Sequence, residues 1–367
     1  MTYDFAPKLA QVLTEYCRPV GEGDYVVIMS SPTAAPLIEA LYEAVLRRGG
    51  NPTLQLSLPG LNEIALKHAS DAQFDFVDPA VMVQFDRADV LYSIRAPTNT
   101  KAFASIDPTR LARAQQGQRP IMERYFERVA DDSIRWNITA WPTQAAAQDA
   151  EMGFRDYTEF VYRACGLDQP DPVAYWVAFR ERQDRLIRWL AGKQHAEVRG
   201  LGIELSFDFG GRIWMNSHGV RNFPDGEIFT CPIEDSVNGS VEFNLPSVYG
   251  GREINGVRLV FRDGLVVEAS AQKGEDYLFS QLDLDAGARR LGEFAIGTNN
   301  GIDRFTREIL FDEKMGGTVH MALGQNASGP GGTNQSAIHW DMVHSMKDGG
   351  EIMVDGELFY RAGEFMV

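Results

Sequence analysis

The chain has 367 residues, of which 44% are hydrophobic and 23% are charged, a composition typical of a globular protein long enough for two domains. Its 35 Lys and Arg residues are outnumbered by 51 Asp and Glu residues, so the formal net charge is −16. Binding of nucleic acid requires a basic surface, and this excess of negative charge argues against a nucleic-acid partner. No apolar run approaches the ~20 residues of a membrane-spanning helix, so we expect no membrane partner either.

The cysteines indicate the compartment. Cys17, Cys165 and Cys231 are far apart and show no Cys-x-x-Cys spacing. An odd number without a pairing pattern argues against a disulfide framework and favours a reducing environment. The N-terminal residues lack a basic segment followed by an apolar one, so no signal peptide is visible. We therefore expect a cytoplasmic protein.

The first half of the chain alternates apolar runs with stretches of helical spacing. Apolar side chains recur with helical period over residues 8–19 and 37–46. Short apolar runs predict strands at Tyr25–Met29, Thr53–Leu58, Val90–Ile94 and Ile134–Ile138. Strand, helix and strand in this order predict a βαβ unit, and hence a Rossmann-like domain with a parallel sheet. Since no Gly-x-Gly-x-x-Gly or Walker motif follows the first strand, this topology carries no nucleotide prediction.

The sequence pattern changes near residue 200, where short β-prone runs are separated by Gly, Asn and Asp. These runs predict strands at Ile203–Phe209, Arg212–Asn216, Ser240–Leu245, Val257–Phe261 and Leu265–Ala271. Arg262-Asp263-Gly264 fits a hairpin turn between the last two strands. We therefore expect an α/β protein with two domains. Residues 1–200 would form the N-terminal Rossmann-like parallel-sheet domain, and residues 201–367 a C-terminal, mostly antiparallel, β-rich α+β domain.

A His-x-Asp pair lies near the end of the chain. His339 and Asp341 alternate with Ile338, Trp340 and Met342. Because successive side chains of a strand point to opposite faces, one face would carry an imidazole beside a carboxylate, while the other buries apolar bulk. Nitrogen and oxygen donors on a rigid strand suit a divalent metal ion. The alternative is a strand whose polar face meets solvent.

Three further residues of the second domain are candidates to join this pair. Glu227 follows a turn-rich sequence, Glu293 lies between Gly292 and Gly297, and His320 follows Gly316-Gly317 by a few residues. Each of these residues taken alone also has a plain structural explanation. Together with His339 and Asp341 they form a plausible ligand set for two divalent metal ions, which would place the metal site in the second domain.

Four ordered motifs resemble the M29 family of metalloaminopeptidases, the aminopeptidase T and aminopeptidase S group. They are Asn-Phe-Pro-Asp-Gly-Glu at 222–227, Gly-Glu-Phe-Ala-Ile-Gly-Thr-Asn at 292–299, Gly-Gly-Thr-Val-His-Met-Ala-Leu-Gly at 316–324, and Gly-Gly-Thr-Asn at 331–334 leading into Ile-His-Trp-Asp at 338–341. The likeness is weak in the first half and strong from about residue 200 onward.

This resemblance implies a metalloaminopeptidase that hydrolyses N-terminal residues from small peptides with a metal-activated water. Carried over by position, the ligands of two divalent ions (zinc, cobalt or manganese) would be Glu227, Glu293, His320, His339 and Asp341. Glu293 would also be catalytic, as the group that takes the proton of the attacking water. The family further implies a homodimer enclosing an inner cavity.

The chain departs from the family pattern at one position. The peptidases carry a catalytic tyrosine seven residues after the first ligand histidine, where this chain has Ala327. A phenol there could donate a hydrogen bond to the developing oxyanion, and loss of one such donor typically costs ~10²–10³ in rate. Asn326 and Ser328 are polar neighbours that could substitute partly, although neither matches by position.

Two alternatives follow from this departure. The chain also resembles 2,5-dihydroxypyridine dioxygenase, in which one non-haem Fe(II) would be held by His320, His339 and Asp341 for ring cleavage. The second alternative is a non-catalytic metal-binding relative. Of these three possibilities, we expect the chain to be a metal-dependent aminopeptidase.

Overall fold

The computed structural model describes residues 5–327 and 329–367. The strands, numbered in chain order, are β1 (Tyr25–Ser30), β2 (Asn51–Leu56), β3 (Val90–Arg95), β4 (Arg135–Ala140), β5 (His195–Gly200), β6 (Ile203–Asp208), β7 (Met215–Ser217), β8 (Asn222–Phe223), β9 (Glu227–Thr230), β10 (Asn238–Glu242), β11 (Ser247–Tyr249), β12 (Arg252–Ile254), β13 (Arg258–Arg262), β14 (Leu265–Ser270), β15 (Leu291–Gly297), β16 (Thr318–Gly324), β17 (His339–Ser345), β18 (Glu351–Val354), β19 (Glu357–Arg361) and β20 (Glu364–Phe365).

The α-helices are α1 (Ala6–Val12), α2 (Ala35–Arg47), α3 (Leu61–His68), α4 (Asp71–Phe74), α5 (Pro79–Arg87), α6 (Pro108–Gly117), α7 (Arg119–Ala130), α8 (Gln144–Asp149), α9 (Phe154–Ala164), α10 (Pro172–Leu190), α11 (Glu275–Leu282) and α12 (Ile309–Asp312). A π-helical turn, Leu13–Cys17, continues α1, and a 3₁₀ turn, Pro32–Ala34, leads into α2. None of the helices in the described part of the chain combines the length and apolar character that a bilayer crossing needs.

The chain divides into two compact units. The first contains the chain up to Trp176 together with Gly219–Phe223, and the second contains Val177–His218 and Pro224–Val367. Residues of the second half of α10, such as Leu186 and Leu190, are buried in the core of the second unit, which explains their membership there. The division into domains of residues 1–200 and 201–367 differs from these units and stays a prediction.

The first unit is built on a parallel sheet. Its strand order is β2-β1-β3-β4-β8, and each neighbouring pair is parallel. Val26, Val27 and Ile28 of β1 are fully buried, as expected of a strand with neighbours on both sides. The prediction of a Rossmann-like parallel sheet is confirmed. The predicted strand Thr53–Leu58 lies two residues too late, because Pro52 reads as a strand breaker but is tolerated in β2, which is an edge strand.

The second unit contains a two-stranded antiparallel sheet, β11-β12, and two more extended antiparallel sheets. The larger has the order β14-β13-β10-β6-β5-β18-β19-β20, and the smaller has the order β17-β16-β15-β9-β7. Asp263 and Gly264 close the β13–β14 hairpin with positive φ angles of 49° and 77°, as the sequence predicts. The mostly antiparallel, β-rich fold of this half is confirmed.

The predicted strand Arg212–Asn216 is wrong for its first three residues, since β7 begins only at Met215. The backbone N–H of Arg212 donates to the Phe209 carbonyl at 2.9 Å, closing a turn through Gly211 at φ +77°.

One apolar cluster, the C-terminal core, joins side chains of both extended sheets in the second unit. Phe207 of β6 and Phe294 of β15 contact each other at 4.7 Å between ring centroids, and Met321 and Trp340 belong to the same cluster. β15 and β16 are buried along their whole length. Since strand side chains alternate, the five-stranded sheet presents one face to this core and a second face, the site face, away from it.

Candidate metal centre

Four neighbouring strands carry the five candidate ligands to the site face. The C-terminal core contains six side chains of these strands: Ile228, Phe294, Ile296, Met321, Trp340 and Met342. Alternation therefore turns the neighbouring side chains of the same strands, Glu227 on β9, Glu293 on β15, His320 on β16, and His339 and Asp341 on β17, to the opposite face. The alternation predicted for residues 338–342 is confirmed.

The register leaves space between these side chains. Across three strands, Asp341 pairs with Ala322 and Ala322 with Glu293, so a methyl group separates the two carboxylates along that row. His320 pairs with Ala295 on the adjoining row. Small residues at 295 and 322 therefore keep the centre of the site face open for atoms between the polar groups.

The five side chains lie close enough to one another to bind the same metal ions. His320 Nε2 is 3.2 Å from Glu227 Oε2 and 3.4 Å from Glu293 Oε1. His339 Nε2 is 3.7 Å from Glu293 Oε2 and 3.5 Å from Asp341 Oδ2. Glu293 thus lies between the two imidazoles. The structure brings all five residues together, and their role as metal ligands stays a prediction.

Several polar atoms of this group are buried without a hydrogen-bond partner among the residues that the structure describes. They are Asp341 Oδ1, His320 Nδ1 and Glu227 Oε2, whose 3.2 Å contact with His320 Nε2 does not have hydrogen-bond geometry. Buried polar atoms are nearly always paired, so unpartnered carboxylate oxygens that point into a cluster fit a cation. His339 is oriented for the same purpose: Nδ1 donates to the Gln325 carbonyl at 2.8 Å, which leaves the lone pair on Nε2.

The structure adds a lysine that the sequence reading missed. Lys314 is 1% exposed, and its Nζ donates to Glu227 Oε1 at 2.9 Å, contacts Glu313 and lies 3.9 Å from Asp225 Oδ1. Burial alone would lower the pKa of Lys314, but the charges of Glu227, Glu313 and Asp225 outweigh it and raise the pKa. Lys314 therefore stays an ammonium ion inside the protein.

Glu313 and Asp225 complete the polar cluster. One oxygen of Glu313 lies within 4.8 Å of potential ligand atoms of His320 and Asp341, and Glu227, Glu293 and His320 form a second group of the same size. Sequence reasoning gave no reason to select Glu313 or Lys314, because an acid–base pair beside a helix end usually lies in solvent.

The electrostatics of the cluster favour bound protons when no cation is present. Burial raises the pKa of Glu227 to about 8, although the charges of Lys314 and His320 oppose this shift. Burial would lower the pKa of His320, but its hydrogen bond to Glu293 and the surrounding carboxylates raise that pKa to about 9. For His339 too, carboxylate charges outweigh burial, so its pKa is raised. The cluster thus retains protons that a metal ion would have to displace.

The position of the missing tyrosine lies beside this cluster. The Ala327 carbonyl accepts a contact from the Cys231 thiol at 3.7 Å, and burial raises the pKa of Cys231 to about 11, with the Glu293 charge adding to it. Both polar side-chain atoms of Asn326, which is 9% exposed, lack partners within the described residues. Ser328 lies outside those residues, so its position gives no test of a substitute donor.

Comparison with known proteins covers nearly the whole chain. A profile of the family described as thermophilic metalloprotease (M29) matches residues 5–365. Aminopeptidase 2 of Geobacillus stearothermophilus is 28% identical over an alignment of 344 residues that covers 87% of this chain and 83% of that protein.

Two solved structures share the fold. Wild-type AmpT from Thermus thermophilus superimposes with a TM-score of 0.85 at 23% identity, covering 99% of both chains. The 2,5-dihydroxypyridine dioxygenase from Pseudomonas putida KT2440 superimposes with a TM-score of 0.58 at 14% identity, covering 99% of this chain and 97% of that one.

We predict that Lys314→Met destabilises the metal-free protein by about 3–5 kcal/mol, because it leaves buried carboxylates without their cation. Urea unfolding after dialysis against chelator measures this loss. Lys273→Met is the matched control: Lys273 is 61% exposed and pairs with Glu253 at 2.9 Å, so its loss should cost about 1 kcal/mol or less. Equal stability of the two variants would contradict the structural role of Lys314.

Proposed function

Because this chain belongs to the M29 metalloprotease family, we propose that it is a metal-dependent aminopeptidase that removes N-terminal residues from small peptides. The family resemblance inferred from the four motifs is confirmed by the match over residues 5–365. The observation that carries the proposal is the convergence of two histidines and three carboxylates on one face of a sheet, with buried oxygens that lack partners. The name of the relative Aminopeptidase 2 supports the same reaction class.

The donor set fits divalent metal ions. Glu227, Glu293, His320, His339 and Asp341 are proposed as the ligands, and imidazole with carboxylate suits zinc, cobalt or manganese. Asp225 and Glu313 raise the number of carboxylates to five, and Lys314 supplies one positive charge. The four negative charges that remain would be neutralised by two divalent ions, which supports two ions per chain. Such ions polarise a carbonyl group and lower the pKa of water.

Glu293 is proposed as the catalytic base. One of its oxygens lies 3.4 Å from His320 and the other 3.7 Å from His339, so the carboxylate is at the centre of the cluster. The side chain of Glu293 is 8% exposed and that of His339 is 37% exposed. His339 therefore lies at the solvent-facing edge of the cluster, and Glu293 lies deeper inside it. From there Glu293 can take a proton from the attacking water and return it to the leaving amine.

The dioxygenase alternative rests on two features of the chain. His320, His339 and Asp341 include the two imidazoles and the carboxylate of an Fe(II) site, and Ala327 makes room for a planar ring where the peptidases have a phenol. The 14% identity to the dioxygenase structure shows a shared fold and no more. A non-catalytic relative would keep the ligands and lack turnover.

Compartment and assembly are also proposed. The three cysteines, Cys17, Cys165 and Cys231, are buried thiols, which supports a reducing compartment and hence a cytoplasmic protein. If the purified protein were active only after its cysteines had been oxidised, this result would contradict a cytoplasmic location.

For assembly we predict a homodimer, as the family resemblance implies. Light scattering at micromolar concentration should give a mass near twice 40.9 kDa. A mass near that of one chain would contradict the dimer.

The metal site generates the next prediction. Since Glu227 and His320, with pKa values of about 8 and 9, hold protons at neutral pH, binding of zinc or manganese to metal-free protein should release protons. The affinity should therefore rise as the pH increases from about 6.5 and level off above about 9. Calorimetric titrations at pH 7.5 in two buffers of different ionisation enthalpy measure the release, and identical heats would contradict it.

Two histidine variants control this titration. His339→Ala should lower the metal content, measured by elemental analysis, because it removes a proposed ligand. His195→Ala should leave the metal content unchanged, since His195 lies on β5 and pairs with Asp208 at 2.6 Å. Full metal content in His339→Ala would overturn the ligand assignment. One iron per chain instead of two other divalent ions would favour the dioxygenase.

The missing phenol generates a separate prediction. Wild-type hydrolysis of alanyl substrates should be slow and metal-dependent, and Ala327→Tyr should raise it by about 10²-fold, because one oxyanion donor contributes that much. Peptide hydrolysis and oxygen uptake with a dihydroxypyridine are measured for both proteins. Oxygen uptake by the wild type that the tyrosine abolishes, with no peptide cleaved by either protein, would favour the dioxygenase.

A further inference from the structure

A small cavity borders the proposed metal centre on the side of Asp341. Val343 follows Asp341 on the site face of β17, and both side chains line a cavity of about 10 Å³. Val248, Phe305 and Ile309 line it as well. Pro246 and the polar residues Ser247, Arg307 and Asp312 complete the lining, so apolar side chains form just over half of it.

The apolar lining is accessible from outside. Val248 is 38% exposed and Ile309 is 37% exposed, whereas Val343 at the base is 2% exposed. Apolar side chains that surround the edge of a carboxylate site cannot bind a cation or a hydrogen-bonding group. They fit the hydrocarbon part of a ligand whose polar part contacts Asp341 and its neighbours.

The wall that contains Val248 is tied to β17. Ser247 donates its hydroxyl proton to the Asp341 carbonyl at 3.2 Å and accepts the Trp340 indole N–H at 2.7 Å. Trp340 is 1% exposed and belongs to the C-terminal core. This wall cannot move away from Asp341 without breaking buried hydrogen bonds.

The wall that contains Phe305 and Ile309 is fixed by a buried carboxyl group. Asp312 is 1% exposed and accepts hydrogen bonds from the Thr306 backbone N–H at 2.7 Å and from the Thr306 hydroxyl at 2.8 Å. Thr306 is itself 2% exposed. The segment between Phe305 and Asp312 is thus held at both ends, and the cavity keeps its size.

We propose that this cavity receives the side chain of the substrate's N-terminal residue and selects glycine or alanine. The inference rests on the proposed aminopeptidase function and specifies its substrate. A cavity of about 10 Å³ accommodates roughly one water-sized group, which matches a methyl group. Leucine or phenylalanine would force Phe305 or Ile309 aside, and one poorly fitted methylene changes the rate by about 10–200-fold.

The test compares aminoacyl p-nitroanilides. For the metal-loaded wild type, kcat/KM for the alanyl substrate should exceed that for the leucyl substrate by about 10-fold or more. Phe305→Ala enlarges the cavity and should shift this ratio at least about 10-fold toward leucine. Phe279→Ala is the matched control, because Phe279 is 37% exposed on α11 and does not line the cavity, so the ratio should not change.

Each outcome decides the inference. A wild type that prefers leucyl or phenylalanyl substrates overturns it, and so does an unchanged ratio in a Phe305→Ala protein with wild-type circular dichroism and metal content. Ile309→Ala replaces Phe305→Ala if the latter does not fold.

If no p-nitroanilide is cleaved, the proposed function fails, and calorimetric binding of free L-alanine and L-leucine to metal-loaded protein decides the cavity separately. Tighter binding of alanine by the wild type, reversed in the variant, supports the inference. Equal binding of both amino acids overturns it.

Discussion

The ammonium group of Lys314 contacts the buried carboxylate of Glu227 and the partly exposed carboxylate of Glu313, and it lies close to the buried Asp225; the proposed metal centre depends on this interaction. Several negative charges held together away from water repel one another strongly, because the interior screens them poorly. The ammonium group of Lys314 is a fixed internal cation, and it removes part of that repulsion without a bound metal ion. Protons held by Glu227 and His320 remove more of it. The folded chain can therefore exist without a bound metal ion, and an ion bound at the proposed site would replace protons instead of organising the fold.

The sheet supplies the rigidity that such a cluster needs. β15 and β16 are buried throughout, and their core-facing side chains lock the strands so that the polar face cannot rearrange. Two glycines make the strands fit: an added Cβ at Gly292 would lie 2.5 Å from the Gly324 carbonyl, and one at Gly297 would lie 2.1 Å from the Met315 carbonyl. The close approach at Gly297 brings the segment that carries Lys314 against the end of β15.

The polar residues that sequence reading selected are those carried by periodic patterns or family motifs. His339 and Asp341 alternate with buried apolar residues, so the strand and the face could be predicted together. Lys314 and Glu313 lie outside any period. The burial of Lys314 depends on Asp225 and Glu227, and its contact with Glu227 joins residues that are 87 positions apart. No local sequence pattern predicts a contact between residues so far apart in the chain. The strand at Pro52 and the turn at Gly211 were misread for a related reason, since an edge position and a turn geometry are properties of the assembled sheet.

The contact between His339 and the Gln325 carbonyl determines which mutations this part of the chain tolerates. The acceptor is a backbone oxygen, so any side chain at 325 that keeps the backbone path preserves the imidazole orientation. The connection from the end of β16 to the start of β17 must instead keep its span. Point substitutions in this connection should therefore accumulate among descendants of the gene more readily than insertions or deletions, which would turn the imidazole away from the carboxylates.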